Sequence, residues 1–232
     1  MCFSEKNSYF NAILLTSAGI YSNKYKLLYV SIFFAVKEIL QGLLYRFQGN
    51  DYILSLLSSL SWIHISFQPL FVNILLSHFA PDFKYWNLIF IVCFVFALYY
   101  ITILKIFDIQ NQESCKPRGR NDDFCHHINT GYMGEYHIGY RFHTDNTPSY
   151  LSWLPRQILM FVPALFTRAR FITIFSMIFV TLIFYIYDYS RNIKGNPITN
   201  YQYAGEKAAI WCFLTVFIAL FTFFESNIRS II

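Results

Sequence analysis

Charge is what this sequence lacks most. Charged residues make up 13% of its 232 residues, about half of the roughly 25% that an ordinary soluble domain carries. This deficit excludes an ordinary soluble globular domain. The hydrophobic fraction of 56% also excludes a disordered chain, which requires low hydrophobicity and high charge. Glycine and proline are sparse as well, with 9 and 7 residues, so collagen-like and low-complexity architectures are excluded. The composition therefore predicts an integral, multi-pass membrane protein.

Several familiar catalytic motifs are also absent from the sequence. It contains no GxSxG elbow, no phosphate-binding glycine loop, no HExxH and no CxxCH. The formal net charge is +5, but the basic residues are scattered, and acidic residues closely follow the densest group, at 116–120. We therefore expect no nucleic-acid partner, and the lipid bilayer is the partner that the composition favours.

Seven apolar segments are candidate membrane-spanning helices, because a span needs about 20 mostly apolar residues. They cover residues 9–25, 27–47, 53–79, 86–104, 150–166, 171–187 and 207–224. The fifth is the weakest, since two prolines and Arg156 interrupt it, so six spans are the alternative to seven. Pro69 lies inside the third, where we expect a kink. The predicted fold is an all-α transmembrane bundle of about seven spans, forming a single domain over residues 1–232.

A stripe of small residues marks the first candidate helix. Ser8, Ala12 and Thr16 are spaced four apart and are followed by Gly19. Residues at this spacing share one face of a helix, and small side chains allow helix backbones to approach closely in membranes. The stripe predicts close packing of the first helix against a neighbour.

The region 108–148 is the longest polar stretch and is predicted to be a loop of about 40 residues. It contains two cysteines and four histidines, at positions 115, 125, 126, 127, 137 and 143. Their spacing matches no compact zinc template. A Cys115–Cys125 disulfide, metal binding by some of these residues, and unrelated thiols with solvated histidines all stay open. Residues 134–140 are more apolar than their surroundings and are predicted to fold back and bring His137 to the helix bundle.

Two ionisable residues lie in the middle of the second candidate span. Such residues are costly at membrane depth and are functional candidates by default. Lys37 and Glu38 are adjacent, so they lie about 100° apart on a helix and are not expected to face each other. Glu38 and Gln41 are three residues apart and share a face. Glu38 is either purely structural or part of a functional polar cavity, and Lys37 is expected to be structural.

The third candidate span carries a polar stripe. Ser61, His64 and Gln68 follow helical spacing on one face, and Asn73 lies on another side together with Ser66. A proline at position 69 also frees a backbone carbonyl one turn earlier. This combination predicts a polar pocket, in which His64 is a metal ligand, a proton carrier or a hydrogen-bonding post.

Cysteines and a tryptophan outside the polar loop complete the candidate positions. If the initiator methionine is removed, Cys2 presents an amine and a thiol together, which suits a nucleophile or a bidentate metal ligand. An inert thiol is the alternative. Trp211 is expected to anchor the last helix at the membrane interface. Cys93 and Cys212 are expected to be packing residues.

Several of these motifs occur together in an order that is familiar. They are Met1-Cys2-Phe3-Ser4, Lys37-Glu38-Ile39-Leu40-Gln41, the stretch from His64-Ile65-Ser66-Phe67-Gln68-Pro69 to Asn73, Cys125 with Glu135-Tyr136-His137-Ile138-Gly139-Tyr140, and Ile210-Trp211-Cys212. The chain resembles a microbial family of small multi-pass membrane proteins of unknown function. Members typically open Met-Cys-Trp-Ser and carry a Glu-x-x-Gln helix, a His-Ile-x-Phe-Gln-Pro helix and a Trp-His-Ile-x-Trp segment.

The resemblance implies a fold and a set of positions, and no activity. This sequence departs from the family pattern at Phe3, Tyr136 and Tyr140, where the pattern has tryptophan, and the spacing from Cys125 to His137 is longer than usual. The candidate positions that the resemblance implies are Cys2, Glu38, Gln41, His64, Gln68, Asn73, Cys125, His137 and Trp211.

The first functional hypothesis is a membrane-embedded polar site that binds a metal and is enzymatic. Glu38, His64 and His137 are its predicted catalytic residues, and Gln41, Gln68 and Asn73 its predicted substrate-binding residues. The predicted metal ligands are His64, His137, Cys2 and Cys125, with a divalent metal such as zinc as the candidate cofactor and a small molecule or lipid as substrate. A small transporter or proton-coupled carrier is the second hypothesis. The third is a structural or assembly protein without chemistry.

Overall fold

A computed structural model of the chain describes residues 4–111, 130–133, 138–141 and 153–166. Helices dominate this part of the chain, as the sequence predicts. They are α1 (Glu5–Ser22), α2 (Tyr25–Arg46), α3 (Asp51–Phe79), α4 (Trp86–Asn111) and α5 (Trp153–Leu165). Strands β1 (Thr130–Met133) and β2 (Ile138–Arg141) form an antiparallel hairpin in which Thr130 pairs with Arg141. This hairpin lies within the region that was predicted to be a loop.

Side-chain caps fix where the first and third helices begin. The Ser4 hydroxyl accepts the amide hydrogen of Asn7 at 3.3 Å, and Asn50 Oδ1 accepts that of Ile53 at 3.1 Å. Each cap satisfies an amide that has no partner within its own helix. Helix α1 ends at Asn23, which adopts the left-handed conformation with φ of 50°. Because two residues connect α1 to α2, the two helices form a tight hairpin.

The α1–α2 hairpin packs closely at both of its ends. A Cβ placed on Gly19 would lie 2.8 Å from Ser31 Cβ, and one on Gly42 would lie 2.8 Å from the Tyr9 ring. Both distances are shorter than carbon–carbon contact, so only glycine fits without a shift. Ser8, Ala12 and Gly19 are buried, and Thr16 is partly buried. The predicted role of the small-residue stripe is therefore confirmed.

Helix α3 is at the centre of the described structure. It contacts α2, α4, α5 and strand β1, while β2 contacts α2. One apolar core joins α1, α2 and the second half of α3 to α5, and includes Leu15, Phe34 and Met160. A second core joins the C-terminal half of α2 and the first half of α3 to Tyr100 of α4. The polar residues of α2 and α3 are thus enclosed by neighbouring helices.

Two of the described helices, α2 and α3, are long and apolar enough to cross a membrane. The apolar stretch of α4, Trp86–Thr102, is shorter. Helix α5 has 13 residues and is about 20 Å long, which is too short for a hydrocarbon core of about 30 Å. The described helices therefore do not support seven spans, and the candidate segments 171–187 and 207–224 lie outside the described residues. Helix α3 continues through Pro69 without interruption.

Candidate functional site

The interface between α2 and α3 contains the buried polar residues that the sequence singled out. Lys37, Glu38 and Gln41 on α2 are buried, and so are His64 and Gln68 on α3. Burying a charged or polar group is unfavourable unless it is paired or hydrogen-bonded. What each of these side chains contacts therefore decides what the site does.

The two buried charged residues of α2 form an ion pair with each other. Lys37 Nζ lies 3.9 Å from Glu38 Oε1, and both side chains are buried. The prediction that these neighbours do not face each other is wrong for their charged ends. Their Cβ atoms point about 100° apart, but the long lysine stem brings the ammonium back to the carboxylate. The pair brings a carboxylate and an ammonium together in the interior of the protein.

His64 is held by a backbone carbonyl of the neighbouring helix. Its Nε2 lies 2.7 Å from the Phe33 oxygen. Since a carbonyl oxygen only accepts, Nε2 carries the hydrogen in this contact. In neutral His64, Nδ1 then holds a lone pair, and this nitrogen has no hydrogen-bond partner among the described residues. A nitrogen in this state accepts a proton or binds a metal.

Aromatic stacking fixes the plane of the same imidazole. The Phe33 ring is stacked on His64 with 3.8 Å between ring centroids, and on Phe71 at the same distance. Because two rings cannot occupy the same face at that distance, Phe33 lies between His64 and Phe71. Lys37 is close enough to interact electrostatically with His64. The structure thus brings His64 and the Lys37–Glu38 pair to one region of the α2–α3 interface.

Gln41 and Gln68 lie where the sequence pattern places them. Gln41 is fully buried, like Glu38 one turn before it on α2. Ser61, His64 and Gln68 are all buried, which confirms the polar stripe on α3 as an inward face. A substrate-binding role for the two glutamines stays a prediction.

Asn73 connects three helices. Its Nδ2 lies 2.8 Å from the Pro69 oxygen in α3, 2.7 Å from the Leu159 oxygen in α5 and 3.6 Å from Cys93 Sγ in α4. These contacts occupy the donor nitrogen of the amide and leave Oδ1 without a partner among the described residues. The geometry gives Asn73 a role in holding the helices together. Cys93 is buried and free, as expected of a packing residue.

Three of the predicted site residues lie outside the described residues: Cys2, Cys125 and His137. Trp211, which the family pattern also implies, lies outside them too. His137 immediately precedes β2 in the sequence, and β2 contacts α2. Within the described residues, no group of three or more His, Cys, Asp or Glu side chains is placed to hold a metal ion. His64 and Glu38 therefore do not complete a metal centre from that part of the chain alone.

Arg156 is a buried charged residue that the sequence pattern marks only as an interruption of the weakest span. Arg156 lies in the first turn of α5 and is only 7% exposed. Its Nε has no hydrogen-bond partner among the described residues. The available signal was an ionisable residue within an apolar segment, which is a functional candidate by default.

Comparison with known proteins assigns the chain to a family. A family of unknown function, DUF5765, matches residues 11–232. The chain belongs to this family. The match covers α1 from Asn11 onward and all of the other described helices and strands, so DUF5765 includes the whole α2–α3 site. No curated protein matches the chain, and neither does any solved structure.

Proposed function

We propose that this DUF5765 member is an integral membrane protein that forms one domain around a buried acid–base site at the α2–α3 interface. The observation that carries the membrane assignment is the way in which apolar and charged side chains are distributed around α2. Its exposed stripe is apolar, at Tyr25, Tyr29, Ile32, Val36 and Ile39, whereas Lys37 and Glu38 in the middle of the helix are buried and its other two charged residues lie near its ends. A surface helix of a soluble protein has the opposite arrangement.

Helices α3 and α4 repeat this pattern. The exposed large side chains of α3 include Tyr52, Leu56, Leu60 and Ile63, while His64, Gln68 and Asn73 are buried. The exposed face of α4 includes Leu88, Ile91, Val92, Phe94, Val95, Leu98 and Tyr99. Large exposed apolar patches on a protein mark contacts with a partner or a membrane, and three helices here expose large apolar side chains. Lipid acyl chains suit such a surface, which supports a multi-pass membrane protein.

The chemistry that we propose for the site rests on His64 Nδ1. The Phe33 carbonyl holds the hydrogen on Nε2, so Nδ1 is the nitrogen that accepts a proton from a substrate or from water. Glu38 supplies a carboxylate nearby in the same interface, and Lys37 offsets its charge. A base held in one tautomer and orientation by its second nitrogen is the arrangement that general base catalysis requires.

A structural role without chemistry predicts that the buried polar groups satisfy one another. His64 Nδ1 and the hydroxyls of Ser58 and Ser61 have no hydrogen-bond partner among the described residues, which favours a functional site. The carrier hypothesis drew on a helix broken at Pro69, and α3 is continuous there. The acid–base site is therefore the better supported proposal.

The metal-binding form of the site uses His64, His137, Cys2 and Cys125, with zinc as the metal. Metal analysis of the purified full-length protein tests it, comparing wild type with His64→Ala and His137→Ala. The matched control is His78→Ala, because His78 is a buried histidine on the same helix. Zinc that is retained in wild type and His78→Ala but lost in the other two variants supports this form. Wild-type protein without bound metal removes it and leaves the acid–base form.

The acid–base form is tested by activity. Wild type, His64→Ala, Glu38→Gln and His78→Ala are reconstituted in vesicles and assayed on a panel of lipid esters and amides. Loss of a general base lowers the rate by about 10²–10⁴-fold, so we expect that loss in His64→Ala and near-normal rates in His78→Ala. Wild-type hydrolysis that is equal in His64→Ala would overturn the role of His64. Uptake of a solute or proton flux in the same vesicles, without hydrolysis, would establish the carrier instead.

A further inference from the structure

Near its start, α5 carries polar donors that have no acceptors among the described residues. Arg156 is 7% exposed, and its Nε has no hydrogen-bond partner among the described residues. The neighbouring Gln157 carries an amide nitrogen, Nε2, that is buried and equally without a partner among them. Two consecutive residues near the start of this helix therefore each carry a buried nitrogen donor.

The N-terminal end of α5 adds backbone donors at Trp153 and Leu154, whereas Pro155 has no amide hydrogen. Amides in the first turn of a helix have no acceptor within that helix, and the partial positive charge of the helix N-terminus adds to them. The Tyr100 phenol interacts electrostatically with Arg156 in the sense that favours the charged guanidinium, but it carries no full negative charge at neutral pH. Among the described residues, no carboxylate forms an ion pair with Arg156. The ion pair in that part of the chain joins Lys37 to Glu38 on α2.

A guanidinium buried to this extent is strongly unfavourable unless an anion compensates it. Arginine presents a planar set of donors that matches phosphate oxygens, and the N-terminus of a helix is a common phosphate site. We propose that the first turn of α5 binds a phosphate group, held by Arg156 and Gln157. The phosphate belongs either to a phospholipid headgroup or to a soluble phosphate compound. This proposal does not depend on the proposed acid–base function.

The test measures binding to the full-length protein, purified in detergent and depleted of phospholipid. The probes are dioleoyl-phosphatidylglycerol, inorganic phosphate and dioleoylglycerol, and bound molecules are counted by native mass spectrometry. We expect one phosphate-bearing molecule per chain, and a Kd about tenfold or more higher in Arg156→Gln, because a charge-assisted bidentate contact is lost. Arg46→Gln is the matched control, since Arg46 is exposed at the end of α2, and its Kd should equal that of wild type.

The probes separate the two sources of phosphate. Binding of phosphatidylglycerol that inorganic phosphate displaces supports a site that a soluble phosphate compound fills. Binding that inorganic phosphate does not displace supports a lipid headgroup. If Arg156→Gln does not fold, Arg156→Lys takes its place and should show an intermediate Kd. The proposal is overturned if neither phosphate probe binds, if the Arg156 variants bind like wild type, or if dioleoylglycerol binds as tightly as phosphatidylglycerol.

Discussion

His64 shows how single contacts define a site in the interior of this protein. Its Nε2 contacts the Phe33 carbonyl at 2.7 Å, and its ring stacks on the Phe33 side chain. Both constraints come from one residue of α2, so the position of the imidazole follows that helix. Any shift of α2 relative to α3 would therefore change the environment of Nδ1. This coupling makes the packing of α2 part of the chemistry of the site.

The Lys37–Glu38 pair leads to a prediction about the stability of single-residue variants. Removing one member takes away the opposite charge that the ion pair supplies to the other, so Lys37→Met and Glu38→Gln should each lower the free energy of unfolding, by up to about 3–5 kcal/mol. The double variant removes both charges and should lose less than the sum of the two single variants. Titration of the detergent-solubilised protein with SDS, followed by circular dichroism, measures all four forms. Strictly additive losses would show that the two side chains do not interact.

The sequence predicts which polar residues of α3 face inward better than it predicts what they contact. Helical spacing alone places Ser61, His64 and Gln68 on one face, and all three are buried. The Phe33 carbonyl as the partner of His64 has no signal in the sequence, because every helical residue carries a carbonyl. Spacing also fails for Lys37 and Glu38, since it describes where Cβ points and not where a flexible lysine stem ends.

At the scale of helices, glycine sets how closely α1 and α2 approach. The close contacts at Gly19 and Gly42 differ in which atoms would have to move to make room for a Cβ. Next to Gly19 lie Ser31 Cβ at 2.8 Å and Leu28 Cα at 3.3 Å, which are backbone atoms or bonded directly to it. The three atoms nearest to a Cβ on Gly42 all belong to the ring of Tyr9, a side chain that can rotate. The helix pair is therefore constrained more tightly at its Gly19 end.

This difference predicts unequal effects of the same substitution. Gly19→Ala should lower the free energy of unfolding by about 1–3 kcal/mol, as overpacking does, although alanine favours a helix by about 1 kcal/mol over glycine. Gly42→Ala should have a smaller effect, which Tyr9→Ala in the same chain should reduce further. Thermal unfolding in detergent compares the variants. Equal melting temperatures for Gly19→Ala and Gly42→Ala would contradict the packing that we describe.

The positions of the helices could be predicted from the lengths of the apolar runs, whereas the positions of the strands could not. The predicted segment 27–47 corresponds to α2 (Tyr25–Arg46) and 53–79 to α3 (Asp51–Phe79), since long apolar runs have clear ends. The β1–β2 hairpin was missed because each strand has only four residues and contains a glycine, a composition that is typical of turns. The predicted segment 150–166 includes α5 (Trp153–Leu165), and its first three residues lie outside the described residues.

At the scale of the whole molecule, the outward apolar stripe and the inward charges of α2 give different predictions for a lipid and an aqueous environment. Val36 belongs to the outward stripe and is 44% exposed. In water, an aspartate at this position would be well solvated and nearly neutral for stability. In the hydrocarbon core, it opposes membrane insertion of the helix by about 2.5–3.5 kcal/mol. The same substitution therefore separates the two environments.

We expect Val36→Asp to reduce the fraction of the protein that resists alkaline carbonate extraction from membranes, by several-fold relative to wild type. Gln48→Asp is the matched control, because Gln48 is exposed just beyond the end of α2 and an aspartate there lies outside the apolar stripe. Its extraction should match that of wild type. If wild type itself is released by carbonate, or if Val36→Asp is retained as well as Gln48→Asp, the exposed face of α2 does not contact lipid. The buried ion pair would then belong to the core of a water-soluble assembly, whose apolar surfaces would have to be covered by protein.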